Sequence, residues 1–136
     1  VVVVECGIVS RKTCETFPSL LLNVHAGELP EFRGMNNIEW AYWEDKPLIG
    51  TVHYIVPGID MGDVVYQEEL PKLNGPTSIA DVREGAFQKV FALVPKALKA
   101  IEEGEAPRQQ TRERTTRYRM HSVLRNALER KLSAKS

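Results

Sequence analysis

Three polar side chains, those of Asn23, His25 and Asp60, stand where predicted strands give way to loops. Ligands of open α/β sheets bind beyond the carboxyl ends of the strands, so these positions are candidates for a functional site. Asn23 and His25 lie two residues apart on one predicted strand and therefore face the same side. The amide offers a hydrogen-bond donor, the imidazole a proton near neutral pH, and the carboxylate a proton acceptor.

This set of side chains suits acyl transfer to an amine, because a developing oxyanion needs donors and the attacking amine must lose a proton. No Ser or Cys is placed as an obvious nucleophile, which favours direct attack over a covalent intermediate. The residue types alone leave a second interpretation open. Asn23 and His25 could satisfy loop backbone at a strand end, while Asp60 forms a turn.

The hydrophobic pattern predicts the elements that position these residues. Four valines without polar alternation indicate a strand buried on both faces. Strands are predicted at residues 1–4, 19–25, 50–56 and 64–70. Helices are predicted near residues 10–17, from residue 38 to about 43, and over residues 77–103 and 122–132. This alternation predicts the α/β class with a mostly parallel sheet.

Local signals refine the helix ends. Ser78 and Asp81 form a variant of the capping box at the start of the longest helix, and Gly104 suits its end. Asn36 or Asn37 could cap the helix that begins at residue 38.

A parallel strand needs neighbours that each bring a crossover helix, and nothing before the first valine supplies them. We therefore expect that the chain lacks an N-terminal part of its sheet.

Two loops carry a family resemblance. The segment NVHAGELPEFRG at residues 23–34 resembles the NxHxSLLPxxRG signature of the 10-formyltetrahydrofolate-dependent formyltransferases, which act on glycinamide ribonucleotide, methionyl-tRNA or amino sugars. The segment GIDMGD at residues 58–63 resembles that family's GLDTGD-like loop. The resemblance covers residues 1 to about 105. It implies a Rossmann-like, doubly wound sheet, here without its N-terminal βαβ part.

The resemblance also implies roles for individual residues. Asn23 and His25 match the residues that hold the formyl oxygen, and Asp60 matches the residue that manages the proton of the incoming amine. Asp63 is the second choice for that acidic position. The implied cosubstrate is 10-formyltetrahydrofolate. The segments expected to enclose its pterin ring contain Cys6, Gly7, Ile8, Val9, Val56, Pro57, Gly58 and Ile59.

The chain departs from the signature beside the site. The usual Ser-Leu-Leu-Pro is Gly-Glu-Leu-Pro at residues 27–30, so a hydroxyl and an apolar side chain are lost near the expected amine pocket. Candidate substrate contacts are Gly27, Arg33 and Asp63. Arg33 could meet an anionic group or could be a solvated loop cation. His53 lies in a predicted strand and is favoured as core or near-site support rather than as a catalytic group.

The net charge is zero, from 18 Lys and Arg against 18 Asp and Glu, but the charges are unevenly distributed. Residues 108–136 carry seven Arg and two Lys against two Glu, a net charge of +7. We divide the chain into residues 1–106, the catalytic and folate-binding part, and residues 107–136, a basic linker with a short helix. This tail could bind RNA phosphates, or its leucine face could pack on the acidic body, which we favour.

Composition excludes several classes. No apolar run approaches the roughly 20 residues of a transmembrane helix, so no membrane partner is expected. Cys6 and Cys14 are too few for a disulfide framework, and no Cys/His spacing indicates a metal site. A reduced cytoplasmic location is the default expectation.

Together the motifs predict an N-formyltransferase that moves a formyl group from 10-formyltetrahydrofolate to a primary amine of a small molecule, such as an amino sugar. Three alternatives remain: a formyltetrahydrofolate hydrolase, a methionyl-tRNA formyltransferase-like protein, and a non-catalytic folate-binding or interaction module. Nucleic acid is the less favoured partner, because no strand pattern indicates a tRNA-binding domain after residue 105. The sequence leaves the amine and the oligomeric state open.

Overall fold

The computed structural model describes residues 1–4, 8–19, 21–71, 73–110 and 116–134. Helices pack around a central sheet, which confirms the predicted α/β class. The strands are β1 Val2–Val4, β2 Leu22–His25, β3 Arg33–Gly34, β4 Ile49–Tyr54, β5 Val64–Glu69 and β6 Thr116–Arg117. The helices are α1 Arg11–Thr16, α2 Asn37–Trp43, α3 Ile79–Phe91, α4 Leu93–Glu102 and α5 Ser122–Ser133.

The main sheet has four strands in the order β1-β2-β4-β5, and β3 pairs with β6 in a separate parallel ribbon. Only β1 and β2 are parallel in the main sheet, whereas β4 is antiparallel to both of its neighbours. The expectation of a mostly parallel sheet is therefore wrong for the described strands. The physical reason lies in the connections: the loop from β4 to β5 contains no helix, so it closes a hairpin and reverses the chain.

The long helix predicted over residues 77–103 is two helices that meet at Ala92. Pro95 lacks the N–H that would bond to the carbonyl of Phe91, so an uninterrupted helix cannot form across this point. The chain ends α3 with a tight turn in which the Ala92 amide donates to Lys89 and Val90. The predicted capping box is confirmed, because the Ser78 side chain accepts from the Asp81 amide and the Asp81 side chain accepts in return.

Asn36 holds the N-cap position of α2, but its side chain does not cap the helix. Its Nδ2 donates to Glu39 Oε1 at 2.8 Å, and its Oδ1 accepts from the Met120 amide at 3.1 Å. The residue has a left-handed backbone with φ of 55°. Asn tolerates this conformation better than most residues, so the pair Asn36–Asn37 ends the preceding loop rather than capping in the usual way.

The hydrophobic core lies between the sheet and the helices. Val24 and Val52 from the sheet pack against Val82, Ala86 and Val90 of α3. Helix α5 adds Leu128 and Leu132 to the same cluster, so the leucine face of the basic tail packs on the body. Its Glu129 also accepts a hydrogen bond from the Ile79 amide at 2.9 Å. These contacts support the packing interpretation of the tail, which the sequence favoured.

Replacing Leu93 by Ala should destabilise the fold. Its side chain is 1% exposed and fills the space beside Gly50, so truncation removes buried apolar contacts and leaves a cavity. We expect the free energy of unfolding to fall by about 2–5 kcal/mol in urea denaturation. Leu98→Ala on the same helix is the matched control, because Leu98 is 44% exposed, and should cost less than about 1 kcal/mol. Equal losses would contradict this packing of α4.

Candidate active site

The predicted trio comes together at one edge of the sheet. Asn23 and His25 project from β2, and Asp60 projects from the loop after β4. All three line a cavity of about 180 Å³, called here the polar cavity, which runs between α2 and α3. Asn23 and Asp60 also line a second cavity of about 430 Å³, called the apolar cavity. The trio therefore stands at the boundary between two spaces of different chemical character.

The Asp60 carboxylate is held between two imidazoles. Its Oδ2 lies 3.8 Å from His25 Nδ1, and its Oδ1 lies 3.7 Å from His53 Nε2. Oδ2 also accepts a hydrogen bond from the Gly34 amide at 2.8 Å. The backbone of Asp60 is left-handed, with φ of 50°, a conformation that costs energy outside glycine. The surrounding contacts have to hold the residue there.

His53 is a neutral support for Asn23. Its Nδ1 donates to the Tyr54 carbonyl at 2.8 Å, so Nε2 is free to accept from Asn23 Nδ2 at 3.1 Å. Burial lowers the pKa of His53 from its ordinary value of 6.5 to about 4, and the charge of His25 acts in the same direction, against the attraction of Asp60. His53 is paired with Asn23 across the antiparallel strands β2 and β4, so the two side chains lie on the same face of the sheet.

His25 is 8% exposed and presents one ring nitrogen to Asp60. Its Nε2 donates to the Phe32 carbonyl at 2.7 Å, so Nδ1 is the nitrogen that faces the carboxylate. Gly27 makes room for this position, because a Cβ at residue 27 would lie 2.8 Å from His25 Nε2. The departure from the signature serine at residue 27 thus has a structural consequence: the imidazole occupies space that a larger residue would need. Gly27 lines neither cavity.

Arg33 is a buried support of the Asp60 loop. It is 1% exposed, so the interpretation as a solvated loop cation is wrong. Its Nε donates to the Asp60 carbonyl at 3.2 Å, and its Nη2 donates to Gln110 Oε1 at 2.7 Å. Gln110 Nε2 donates to the same Asp60 carbonyl at 3.1 Å and to the Gly62 carbonyl. Burial lowers the pKa of Arg33, and the nearby Asp60 charge opposes that shift.

The second glycine of the GIDMGD motif, Gly62, is required by the close packing of the loop against β4. A Cβ at this position would lie 1.7 Å from the Tyr54 carbonyl oxygen, so only glycine lets the loop return this closely to β4. Asp63 follows it and lines neither cavity; its carbonyl accepts from the Tyr54 amide at 2.9 Å. Of the two acidic candidates in the motif, Asp60 is therefore the one beside the histidines.

The apolar cavity contains most of the residues predicted to enclose a folate ring. Its walls include Ile8, Val9, Val56, Gly58 and Ile59. Pro57 is absent from its lining, and Cys6 and Gly7 lie outside the described residues. Ile8 is 87% exposed and Ile59 is 48% exposed, so apolar side chains surround an open space, as expected where an apolar ligand binds.

Sequence reasoning missed every contribution of the C-terminal segment to the site. Gln110 braces the Asp60 loop, and Thr116, Arg117 and Tyr118 line the apolar cavity. Arg108 Nη2 donates to the Leu29 carbonyl of the first signature loop at 3.1 Å. Nothing in the local pattern of this polar, Arg-rich stretch indicates these contacts, because they depend on where the chain returns to the sheet.

Sequence reasoning also missed the polar residues of the helices beside the trio. Asn37, Glu39 and Arg83 line the polar cavity.

Among the described residues, no group of three or more His, Cys, Asp or Glu side chains is arranged to hold a metal ion. In those same ranges, no helix is both long and apolar enough to cross a membrane.

The fold and the site define an α/β domain whose polar groups gather at strand ends, where α/β proteins usually bind their ligands. The formyl transferase family profile matches residues 1–97, and the chain belongs to this family. The resemblance of the two loops is thereby confirmed. The chain is 32% identical over 111 residues to methionyl-tRNA formyltransferase of Syntrophus aciditrophicus, a match that covers 79% of this chain and 35% of that protein.

Other relatives carry different names. The human trifunctional purine biosynthetic protein adenosine-3 is 30% identical over 98 residues, which cover 71% of this chain and 10% of that protein. The formyltransferase PseJ from Anoxybacillus kamchatkensis, solved with UDP-4,6-dideoxy-4-formamido-L-AltNAc and tetrahydrofolate, has a TM-score of 0.71 at 23% identity. That match covers 85% of this chain and 62% of PseJ, and it shows the shared fold.

A fourth relative, phosphoribosylglycinamide formyltransferase from Streptococcus pneumoniae, has a TM-score of 0.60 at 27% identity. The match covers 71% of this chain and 53% of that enzyme. Each of these relatives is longer than the part that this chain matches.

The buried neutral His53 should make stability depend on pH. Between about pH 4 and 6.5 the unfolded chain binds a proton at His53 that the folded chain does not. The free energy of unfolding should therefore fall as the pH is lowered through this window, by up to about 3 kcal/mol from this group. His53→Gln should flatten the dependence in urea denaturation between pH 7 and 4. The control His121→Gln, at an exposed position, should keep the wild-type slope; a wild-type slope in His53→Gln would refute the assignment.

Gln110→Ala should loosen the Asp60 loop. The change removes the Gln110 acceptor of a buried guanidinium and a donor to the Asp60 carbonyl, so we expect a loss of about 1–3 kcal/mol in thermal or urea unfolding. Gln109→Ala tests the same change one residue away, at an exposed side chain, and should cost less than about 0.5 kcal/mol. If both variants unfold alike, the contact of Gln110 with Arg33 does not support the loop.

Proposed function

We propose that this chain transfers a formyl group from 10-formyltetrahydrofolate to a primary amine of a small molecule. The observation that carries the proposal is the position of Asn23, His25 and Asp60 between an apolar and a polar cavity. A group transfer needs two ligands to meet at the groups that move the proton. A donor in one cavity and an acceptor in the other would meet at this trio.

The apolar cavity has the character that the formyl donor requires. Ile8, Val56 and Ile59 offer apolar contacts to a flat pterin ring, and a volume of about 430 Å³ is within the usual range for small-ligand sites. The complex of PseJ with tetrahydrofolate supports a folate donor for a protein of this fold. When bound, the donor supplies the formyl group, and the residues of this chain orient it and move the proton.

Asn23 is the proposed donor to the formyl oxygen. Its Nδ2 carries two hydrogens, one of which points to His53 Nε2 at 3.1 Å. The second can stabilise the negative charge that develops on the formyl oxygen as the amine attacks. Because His53 is neutral and buried, it fixes the Asn23 amide without competing for the oxyanion. Such preorganised donors contribute more in a site that excludes water.

Asp60 and His25 are the proposed proton relay. As the amine nitrogen bonds to the formyl carbon, the Asp60 carboxylate accepts the amine proton. Asp60 then passes this proton to His25 Nδ1, which lies 3.8 Å from Asp60 Oδ2. From Nδ1 the proton goes to the donor nitrogen as the bond between that nitrogen and the formyl carbon breaks. The Nε2–H of His25 stays on the Phe32 carbonyl, so the imidazole keeps one orientation throughout. The products are the formamide and tetrahydrofolate, and the site returns to its initial protonation state.

Ion pairs within the chain favour a small-molecule acceptor over tRNA, because cations of the basic tail already bind acidic side chains. Arg117 forms an ion pair with Glu44 at 2.6 Å and lies over the Phe32 ring, with its guanidinium carbon 4.7 Å from the ring centre. Lys131 pairs with Asp45 at 2.8 Å. These cations neutralise the acidic body of the chain itself. The methionyl-tRNA formyltransferase relatives keep tRNA as the second candidate acceptor.

Substitution of the relay residues tests the function. His25→Ala and Asp60→Asn should each lower the rate of tetrahydrofolate release from 10-formyltetrahydrofolate, in the presence of an amino-sugar nucleotide, by about 10²–10⁴-fold. His121→Ala, at an exposed position that lines neither cavity, should keep the wild-type rate. Circular dichroism of each variant checks that the fold is intact.

The same assay separates the alternatives. Release of tetrahydrofolate at one rate with and without an amine would indicate a hydrolase. Donor binding without turnover on any amine would indicate a non-catalytic module. Near-normal rates in both His25→Ala and Asp60→Asn would contradict the proposed roles of these residues.

A further inference from the structure

A row of polar side chains crosses the main sheet from His25 to the edge formed by β5. His25 is paired with Thr51 across β2 and β4, and Thr51 is paired with Gln67 across β4 and β5. Residues paired in this way project from the same face of the sheet. Arg108 continues the row beyond β5, where its main chain exchanges two hydrogen bonds with Val64, at 2.8 and 2.9 Å. The side chains of His25, Thr51, Gln67 and Arg108 are called here the polar row.

Three members of the polar row are joined by hydrogen bonds and hold the first signature loop. Gln67 Nε2 donates to Thr51 Oγ1 at 2.8 Å, and Arg108 Nη2 donates to Gln67 Oε1 at 2.6 Å. Thr51, which is 0% exposed, donates from Oγ1 to the Gly27 carbonyl at 2.7 Å. The Leu29 carbonyl accepts from Gln67 Nε2 at 3.2 Å and from Arg108 Nη2 at 3.1 Å. Two carbonyls of the loop are thus fixed by side chains of the sheet and of the C-terminal segment.

The same loop carries the hydrogen-bond partner of His25. The Phe32 amide donates to the Glu28 carbonyl at 2.6 Å, which closes a turn, and the Phe32 carbonyl accepts from His25 Nε2 at 2.7 Å. Gly27 packs against both groups of the second bond. A Cβ at residue 27 would lie 2.8 Å from His25 Nε2 and 3.0 Å from the Phe32 carbonyl oxygen. The position of the Phe32 carbonyl therefore depends on the bonds that the polar row makes to the loop.

The contact with Phe32 selects one tautomer of the neutral His25 ring. A carbonyl oxygen only accepts, so at 2.7 Å the hydrogen has to be on His25 Nε2. Asn37 Nδ2 also lies 3.2 Å from this nitrogen, but it donates to the Gly34 carbonyl at 2.9 Å. Nδ1, which faces Asp60, is then left without a hydrogen. In the proposed relay Nδ1 takes the proton from Asp60, which it can do only in this tautomer.

We propose that Thr51, Gln67 and Arg108 are positioning residues for formyl transfer, because they hold the loop whose carbonyl keeps His25 in the tautomer that the relay needs. The effect on transfer rests on the proposed function, whereas the selection of the tautomer rests on the contacts alone. Arg108 lies beyond residue 97, where the family profile ends. The C-terminal segment thus acts on the relay from the edge of the sheet.

Gln67→Glu tests the selection of the tautomer without any substrate. The change keeps the size of the side chain and an acceptor for Arg108, but it removes both donors of Nε2. The loop should loosen, so the His25 ring should exchange between its two tautomers. In long-range ¹H–¹⁵N spectra of the 136-residue chain at pH 8, the wild type should show only the Nε2–H tautomer and the variant averaged nitrogen shifts. Glu69→Gln, the reverse exchange at an exposed position of β5, should keep the wild-type spectrum.

Kinetics separate positioning from a merely structural role. In the tetrahydrofolate-release assay, Gln67→Glu should lower kcat about 10–100-fold, because a small displacement of a reacting group is enough to do so. Gln67 lines neither cavity, so KM for the donor should change less than about twofold. In the His25→Ala background the change should cause no further loss, since it acts through that ring. Arg108→Gln should lower kcat in the same way, and Arg108→Lys, which keeps a cationic donor, should retain more of it.

Three results would overturn the proposal: the wild-type tautomer in Gln67→Glu, an unchanged kcat despite averaged nitrogen shifts, or a loss of kcat that adds fully to that of His25→Ala. If Gln67→Glu does not fold, Arg108→Gln decides by the same spectra and rates. Release of the tautomer in the variant, with no turnover by the wild type on any amine, would refute the proposed function and support the selection of the tautomer by the polar row.

Discussion

The carboxylate of Asp60, held between two imidazoles in a left-handed turn, is the constraint on which the site depends. A carboxylate this close to two histidines and 15% exposed needs its own hydrogen bonds, and the Gly34 amide supplies one. The strained backbone needs a separate support, which Arg33 and Gln110 give by sharing the Asp60 carbonyl. Gly62 completes the turn by letting the loop touch β4. The second motif is therefore needed for the shape of the loop, through Gly62, as well as for the position of the Asp60 carboxylate.

The two histidines beside Asp60 have different tasks because their second ring nitrogens have different partners. His53 donates to a strand carbonyl and is left with an acceptor for Asn23, and burial keeps it neutral. His25 donates from Nε2 to the Phe32 carbonyl and turns Nδ1 toward the carboxylate. One imidazole thus orients an amide and the other faces the acid. Asn23 and Asp60 line both the apolar cavity and the polar cavity, so the same two side chains face two spaces of different chemical character.

The C-terminal segment changes the meaning of the charge balance. Its excess of seven positive charges indicated a distinct basic segment, and among its described residues three cations bind other parts of the chain. Arg108 holds the first signature loop through the Leu29 carbonyl, Arg117 pairs with Glu44, and Lys131 pairs with Asp45. The family profile ends at residue 97, so the three cations that make these contacts lie beyond the matched region. The net charge of zero is therefore the sum of an acidic body and a basic C-terminal segment, residues 108–136, which form ion pairs with each other.

The sequence by itself determined the family, the position of Asn23 and His25 on a strand and of Asp60 in a loop, and the amphipathic helices, because these follow from short motifs and local periodicity. It did not predict the break at Ala92, although Pro95 was a visible signal, nor the antiparallel pairing of β4 and β5, which the helix-free loop between them implied. Only the tertiary structure decided that Arg33 is buried, that Gln110 braces Asp60, and that Asn37, Glu39 and Arg83 share a cavity. These contacts join residues tens of positions apart, and their energies depend on burial and on partners that no local pattern specifies.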